Sequence, residues 1–483
     1  MILAASSWGF DLTEFPTVWE TILQISLILL FLLIGNTLRR VIPFLRKAFI
    51  PSALIGGFLL LLVNIFSTKV FSYSLINVRL MQVITYHALA IGFIAMTLKT
   101  LKPKGSKGNT AQVIANGGLT GGTYMLQAIV GLGVSLLFFA LGSGLFYDAG
   151  IILPLGFGQG PGNALTWDIN FTNMESNNFD GGGSFGLTIA SIGFIVASLV
   201  GVLYINYYKR KGKIPDRIKN DFKAVEHFEG ENEIEDSDSV DKTTIQIAFI
   251  ALSYLLAFFI MFGLAKLSEV TGVALFNSIA WGFNFIFGVI TATLVKGLLK
   301  FLRKKNVVKK DYINNFQMDR ISGFAFDVMI VAGVAAIDIE IVAKYAWLII
   351  VLCIVGTIVT FFYVKLISKL CFKDIEHESF LLNFGTLTGT ASNGMILLRE
   401  IDPNFETPMS NIYILSQFPA MLFVVPLLLL LNMSASSLTK CLICLGIFVV
   451  LFIIYTIILI LIGKGKLFRH KEIKDEQGTD QSN

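Results

Sequence analysis

The chain has 483 residues, of which 54% are hydrophobic and only 15% are charged. An average soluble protein has about 25% charged residues, and a chain of this length could not cover its surface with so few. This composition excludes an ordinary water-soluble enzyme, an intrinsically disordered protein and a collagen-like chain. The sequence is that of an integral membrane protein, and we expect an all-α fold.

Long apolar runs divide the chain into membrane-spanning segments. A helix needs about 20 apolar residues to cross a bilayer. By this criterion we predict spans at 20–38, 49–66, 80–100, 117–142, 185–206, 244–266, 276–298, 321–343, 346–366, 411–431 and 438–462. Residues 1–19 carry Asp11 and Glu14 but no Lys or Arg, unlike the basic start of a cleaved signal peptide. The first run is therefore interpreted as a span.

Lys and Arg residues are concentrated in alternate loops. Basic clusters follow the first, third, fifth, seventh, ninth and last predicted spans. The loops between them hold only Lys69, Arg79, Lys266, Lys344 and Lys440. Because basic residues in short loops favour the cytoplasmic side, we predict a multi-pass cell-membrane protein with its N-terminus outside and its C-terminus in the cytoplasm.

The two halves of this predicted topology follow the same plan. Each half has four spans, one broken apolar segment and one further span. The first half (1–207, broken segment 147–168) starts outside, and the second (244–431, broken segment 380–398) starts inside. Such an inverted-topology repeat is the architecture of many secondary transporters.

Three further segments complete the predicted organisation. Residues 208–243 are first basic and then acidic, which is typical of a solvated cytoplasmic linker between the two repeats. Residues 432–463 form one extra transmembrane helix, and 464–483 form a polar cytoplasmic tail.

The first broken segment contains an alternating glycine pattern. Gly156, Gly158, Gly160 and Gly162 surround Pro161. A continuous helix is disfavoured there, because each Gly costs about 1 kcal/mol and Pro about 3 kcal/mol. Backbone groups freed in this way must be buried in protein or line a wet cavity. We therefore predict a re-entrant hairpin, which enters the membrane and returns to the same side.

The second broken segment offers neutral oxygen ligands. It contains Thr386, Thr388, Thr390, Ser392 and Asn393. Hydroxyl and amide oxygens suit a hard monovalent cation such as sodium, and free N–H groups at a half-helix N-terminus suit a carboxylate. Small residues that only allow close helix packing are the alternative explanation. The occurrence of two such segments, at matching places in opposed halves, favours a binding site.

These features predict two sets of site residues. The second segment's side chains are expected to hold either a substrate carboxylate or sodium, and Asp327 is included because a charge inside a span is a functional candidate. The predicted substrate-binding residues are Gly158, Gln159, Gly160, Gly162, Asn163, Thr388, Gly389 and Thr390. The predicted sodium-binding residues are Thr166, Ser392, Asn393 and Asp327.

Several stretches resemble the sodium/glutamate symporter family. Asn36–Gly57 resembles its first basic loop and the entry to its second span, and Phe384–Met395 is similar to its second re-entrant loop. Gly158-Gln-Gly-Pro-Gly-Asn-Ala with Trp167 resembles its Gly-His-Gly-Thr-Gly-Ala-Ala-Trp loop, although Gln159 stands where the family has His. Ala420–Leu427 echoes a later Ala-Phe-Leu-Val-Val-Pro stretch. The likeness covers roughly residues 20–431 and implies a homodimer in which each half of the chain contributes to a moving substrate domain and a scaffold.

The expected function is sodium-coupled import of glutamate, or a closely related anionic amino acid, by alternating access. The alternatives are a carrier for another carboxylate, such as a dicarboxylate or hydroxycarboxylate, and a channel-like ion pore. We do not expect an enzyme, because the sequence has no evident set of nucleophile, base and metal ligands. The expected partners are the substrate, sodium, the lipid bilayer and a second copy of the chain, with no nucleic acid and no cofactor beyond sodium.

Overall fold

The computed structural model describes residues 16–99, 110–142, 144–165, 179, 181–214, 241–307, 312–403 and 406–465. Within these ranges the chain is helical and forms no strands. Nine described helices are long and apolar enough to cross a membrane, or ten if one bent helix is counted. The expected class, an all-α membrane protein, is confirmed.

The helices are numbered here in chain order. They are α1 (Pro16–Val41), α2 (Pro43–Lys47), α3 (Ser52–Phe71), α4 (Val78–Leu98), α5 (Thr110–Ala140), α6 (Ile152–Gln159), α7 (Gly182–Arg210), α8 (Lys242–Thr271), α9 (Ala274–Gly282), α10 (Asn284–Lys304), α11 (Asn315–Ala335), α12 (Ile339–Lys344), α13 (Ala346–Cys371), α14 (Glu376–Thr388), α15 (Ala391–Arg399), α16 (Met409–Ala435) and α17 (Leu438–Gly463). The bent helix is α16, which turns by 46° between Gln417 and Pro419. A proline inside a helix lacks the N–H donor, which explains a bend at this place.

Two predicted spans are interrupted in the structure. The expected span 276–298 consists of α9 and α10, which are separated at Phe283. The expected span 321–343 consists of α11 and the short α12. Asp338 accounts for the second interruption, because its carboxylate accepts the backbone N–H of Glu340 at 2.8 Å and caps a new helix.

Buried side chains gather the helices into two bundles. One bundle contains α5, α6 and α13 to α17, and its core includes Leu153, Phe380 and Phe448. The other contains α1, α3, α4, α8, α10 and α11, around two smaller apolar clusters. Helix α7 contributes to both, with Phe185 in the first core and Phe194 in the second.

The helices of the second bundle make a reciprocal set of contacts between the chain's two halves. A methyl group placed on Gly57 of α3 would lie 2.7 Å from Cβ of Val334 on α11. A methyl group on Gly288 of α10 would lie 2.8 Å from Ile94 on α4. The second span of each predicted half thus packs closely against the third span of the other, and glycine permits this approach.

The last helix, α17, belongs to the first bundle. The Tyr455 hydroxyl donates to the Phe423 carbonyl of α16 at 3.1 Å. Thr456 forms a 3.1 Å hydrogen bond with the Tyr363 hydroxyl of α13. Cys441 and Cys444 are buried thiols on this helix. The extra span therefore packs against the broken segments' bundle rather than standing apart from it.

Candidate functional site

The first broken segment turns back on itself at Gly160. Helix α6 ends there with Gly160 at φ +81° and ψ −175°, a conformation that residues with a Cβ rarely adopt, and helix resumes over 161–165. A methyl group on Gly186 of α7 would lie 3.2 Å from Cγ2 of Ile152 and 3.0 Å from Cβ of Ala164. In a continuous helix Ile152 and Ala164 would be about 18 Å apart along the axis. The segment is therefore a helical hairpin.

The second broken segment is also a helical hairpin. Helix α14 ends at Thr388, Thr390 is extended, and α15 begins at Ala391. A methyl group on Gly385 would lie 2.8 Å from Cα of Gly394. A continuous helix would separate these glycines by about 14 Å. The backbones of the two half-helices thus pack directly against each other.

The tips of the two hairpins meet. A methyl group on Gly160 would lie 3.3 Å from Cγ2 of Thr390. Helix α7 passes beside both tips, since a methyl group on Gly193 would collide with the Thr388 carbonyl oxygen and lie 3.1 Å from the Phe157 ring. The structure therefore brings together, around the hairpin tips, residues that are more than 200 positions apart in the chain.

Gln159, Thr390 and Asn393 carry polar groups at the point where the tips meet. The Nε2 atom of Gln159 is buried and has no hydrogen-bond partner within the part of the chain that the structure describes. The Thr390 hydroxyl donates to Oδ1 of Asn393 at 3.3 Å, and Nδ2 of Asn393 lies 3.5 Å from the Phe194 carbonyl of α7. These neutral donors and acceptors match the chemistry that an amino-acid carboxylate and a hard cation require.

Other predicted site residues have different surroundings. The Thr388 side chain is fully buried, and its hydroxyl donates to the Phe384 carbonyl at 2.7 Å. Gly389 lies beside the Asn393 amide. A methyl group on Gly389 would lie 2.9 Å from Nδ2 of Asn393. Ser392 is exposed and Asn163 is buried.

Two predicted glycine ligands are closely packed against side chains. A methyl group on Gly158 would overlap the Tyr124 ring, and one on Gly162 would lie 2.8 Å from Cδ1 of Leu89 and 2.9 Å from Sδ of Met329. Packing thus requires glycine at both positions, whatever the backbone binds.

The two remaining predicted sodium ligands are Asp327 and Thr166. Asp327 is exposed on α11, two residues before Met329, and has no hydrogen bond or ion pair to the described residues. Helix α11 runs past the first tip, since a methyl group on Gly333 would lie 3.1 Å from Cβ of Pro161. Thr166 lies outside the described residues.

Helix α5 supports both hairpins with side chains that the sequence analysis did not single out. The Tyr124 hydroxyl donates to the Gly158 carbonyl at 2.7 Å. Gln127 donates through Nε2 to the Leu387 carbonyl at 3.0 Å and to the Thr360 hydroxyl at 2.9 Å. The bonds to Gly158 and Leu387 each satisfy a carbonyl near the point where a half-helix ends. A buried Gln and Tyr inside an otherwise apolar span were the signal that would have revealed them.

A second polar network holds the middle of the α14 half-helix. Nδ2 of Asn383 donates to Oδ1 of Asn116 on α5 at 2.8 Å. Nδ2 of Asn116 in turn donates to the Ser416 hydroxyl of α16 at 2.8 Å. All three side chains are buried, so the network fixes the second hairpin against two spans.

Comparison with known proteins identifies the family. The sodium/glutamate symporter family matches residues 18–380, which is well over half of the chain. This range includes the first hairpin and ends as the expected second broken segment begins. Searches among curated proteins and among solved structures gave no match. The chain belongs to the sodium/glutamate symporter family, a family of membrane transporters.

Proposed function

We propose that the protein imports glutamate together with sodium by alternating access, and that the two hairpin tips form the binding site. The contact between Gly160 and Thr390 carries this proposal, because it joins two loops rich in neutral polar groups. The family implies sodium-coupled glutamate transport. Coupling to sodium lets the membrane potential drive accumulation, at about 2.3 kcal/mol per net charge per 100 mV.

The first tip is the proposed site for one substrate carboxylate. The backbone N–H groups proposed for this role lie around Gly160, Gly162 and Asn163, at the start of the helical turn 161–165, where the positive end of the helix dipole favours an anion. The Gly160 N–H itself donates to the Gly156 carbonyl at 3.2 Å and closes the end of α6. Nε2 of Gln159, which has no hydrogen-bond partner among the described residues, supplies one more donor. A carboxylate that accepts from this amide would remove the cost of leaving a buried donor unsatisfied.

The second tip is the proposed site for sodium or for the second carboxylate. Thr388, Gly389, Thr390, Ser392 and Asn393 provide carbonyl, hydroxyl and amide oxygens around one turn of chain. Thr166 and Asp327 are proposed to complete the sodium site. Sodium is favoured over protons as the coupling ion because these hairpins present neutral oxygens rather than a titrating pair.

The reciprocal contacts of α3 with α11 and of α4 with α10 support the proposed inverted repeat. Equivalent helices in two inverted halves would exchange partners in this way. The bundle with the hairpins would then be the moving part, and the other bundle would be the scaffold of a homodimer. The hairpins are proposed to be re-entrant, the first from outside and the second from the cytoplasm.

Uptake into liposomes tests the proposed function. Purified protein is expected to accumulate labelled glutamate only when an inward sodium gradient is imposed. Equal uptake with a proton gradient alone would overturn sodium coupling. A competition panel of dicarboxylates and hydroxycarboxylates tests the substrate, and stronger competition by one of them than by glutamate would favour the other carboxylate carrier. Uptake without a fixed sodium-to-glutamate ratio would favour a pore.

A further inference from the structure

A basic pocket lies outside the proposed transport site, where α7 and α13 end and α14 begins. It has a volume of about 460 Å³. Its lining residues are Tyr208, Lys213, Lys365, Lys369, Glu376 and His377. Both α7 and α13 are candidate membrane spans, so their ends place the pocket at a membrane surface. By the distribution of basic residues, that surface is the predicted cytoplasmic one.

The pocket carries an excess of positive charge. Three Lys side chains and one Glu give a net charge of +2 when His377 is neutral. Burial lowers the pKa of His377 below its usual value, which favours the neutral ring. Nearby Glu400 forms an ion pair with Lys209 at 3.6 Å. Within the described ranges, the three lining Lys residues form no ion pair.

One wall of the pocket is aromatic and fixed. The Tyr204 hydroxyl and Nδ1 of His377 form a 2.8 Å hydrogen bond. The His377 ring lies 4.7 Å from the Tyr208 ring, and Nζ of Lys365 lies 5.7 Å from the Tyr208 ring centre. Tyrosine side chains of this kind are enriched at the level of lipid headgroups.

An exposed apolar stripe on α13 leads to the pocket. Its residues follow one another at intervals of four, so they share one face of the helix. They are Ile354 (55% exposed), Ile358 (49%), Phe362 (64%) and Leu366 (60%). Lys365 and Lys369 continue the same face at its pocket end. A stripe that is apolar along its length and cationic at its end matches a lipid with an anionic headgroup.

We propose that this pocket binds the phosphate headgroup of an anionic phospholipid, whose acyl chain lies along Ile354, Ile358, Phe362 and Leu366. The pocket joins α7 to the first residues of the second hairpin, so the bound lipid would hold that hairpin's base. This proposal does not depend on the identity of the transported substrate. If the protein did not transport glutamate, the lipid-binding proposal would be unaffected.

Native mass spectrometry of the purified full chain, with phosphatidylglycerol and phosphatidylcholine added in equal amounts, tests the proposal. The wild-type chain is expected to retain phosphatidylglycerol preferentially. Lys365→Ala with Lys369→Ala is expected to lower that preference at least fivefold. The matched control, Lys300→Ala with Lys304→Ala, removes the same charge at the same spacing from the end of α10 and is expected to leave the preference unchanged.

A gain of binding separates the proposed site from damage to the fold. Glu376→Gln removes the carboxylate of the pocket and is expected to increase phosphatidylglycerol retention at least twofold, which a misfolded protein would not do. An equal loss in both double-Lys variants, or no increase with Glu376→Gln, would overturn the proposal.

The same experiment tests two other possible occupants of the pocket, a soluble anion and the acidic linker. Inorganic phosphate in millimolar excess should not displace the lipid, and displacement would assign the pocket to a soluble anion instead. The acidic residues 226–236 follow Lys213 in the chain. Replacing their carboxylates by amides should leave retention unchanged, and a twofold or greater increase would assign the pocket to this linker.

Discussion

Asn393 links the second hairpin tip to α7. It is 3% exposed, and its amide interacts with Thr390 and with the Phe194 carbonyl. Asn393→Ala leaves buried polar partners unsatisfied, which costs roughly 1–3 kcal/mol. We expect the sodium concentration for half-maximal uptake, or the KM for glutamate, to rise about fivefold or more. Uptake in liposomes, titrated with sodium in one series and with glutamate in the other, measures the two quantities.

Thr293→Ala is the matched control for Asn393→Ala. The Thr293 hydroxyl is exposed and donates to the Val289 carbonyl of its own helix at 2.8 Å. Its removal should change neither quantity. If Asn393→Ala behaves like this control, Asn393 does not belong to the site.

Gly158 is expected to be intolerant of any side chain. A methyl group there would overlap the Tyr124 ring, whereas a methyl group on Gly133 of α5 would meet no atom within 4 Å. Overpacking of a core typically costs about 1–3 kcal/mol. Gly158→Ala should therefore lower the Tm of the detergent-solubilised protein, and Gly133→Ala should not. Equal Tm values for the two variants would contradict the close packing described here.

At the level of single residues, the sequence indicated that the two helices break but not which side chains surround the breaks. The alternating glycines indicated a broken helix, but the pattern does not distinguish a glycine that a ligand approaches from one that a side chain crowds. Gly158 and Gly162 are crowded in this structure. The supporting bonds of Tyr124 and Gln127 reach carbonyls 34 and 260 residues away, and no local pattern contains that information.

At the level of helices, α5 is expected to hold both hairpins in place. Gln127→Leu removes the donor to the Leu387 carbonyl and to Thr360, and leaves buried acceptors unpaired. We expect it to reduce the maximal rate of glutamate uptake at least fivefold while the protein still inserts into the membrane. Initial uptake rates, normalised to the amount of folded protein, provide the measurement.

Thr123→Ala on the same helix is the control for Gln127→Leu. Thr123 is equally buried, but its hydroxyl donates only to the Leu119 carbonyl of α5 itself. Its loss should leave uptake within about twofold of the wild-type rate. A loss of the same size in both variants would show that α5 tolerates no change and does not act through the hairpins.

At this scale the positions of the helices could be predicted from the sequence, but the breaks within them could not. Hydropathy located α3, α7, α13 and α17 within a few residues. It joined α9 to α10 and α11 to α12, because an average over many residues does not register a break of one to three. Asp338 is a typical N-cap residue and is visible in the sequence. An N-cap next to an apolar run is also compatible with a span that ends at the membrane interface, so the residue alone did not predict a new helix.

For the molecule as a whole, the inverted repeat predicts opposite sides for the ends of α5 and α13. Leu141 is 75% exposed just after α5, and Asp374 is exposed just after α13. After replacement of the four native cysteines by Ala, Leu141→Cys should react with an impermeant thiol reagent only from outside the cell. Asp374→Cys should react only from the cytoplasmic side. Labelling of both from the same side would contradict the inverted repeat.

The central claim is that one site, formed by both hairpin tips, binds glutamate with sodium. Its most direct test uses Gln159→Cys and Ser392→Cys, one on each tip, each in the cysteine-free chain in detergent, where both faces are accessible. The rate of thiol labelling is measured with glutamate, with sodium and with both. We predict that glutamate slows labelling at both positions, and only when sodium is present. Protection at only one tip, at neither, or equally without sodium would contradict the claim.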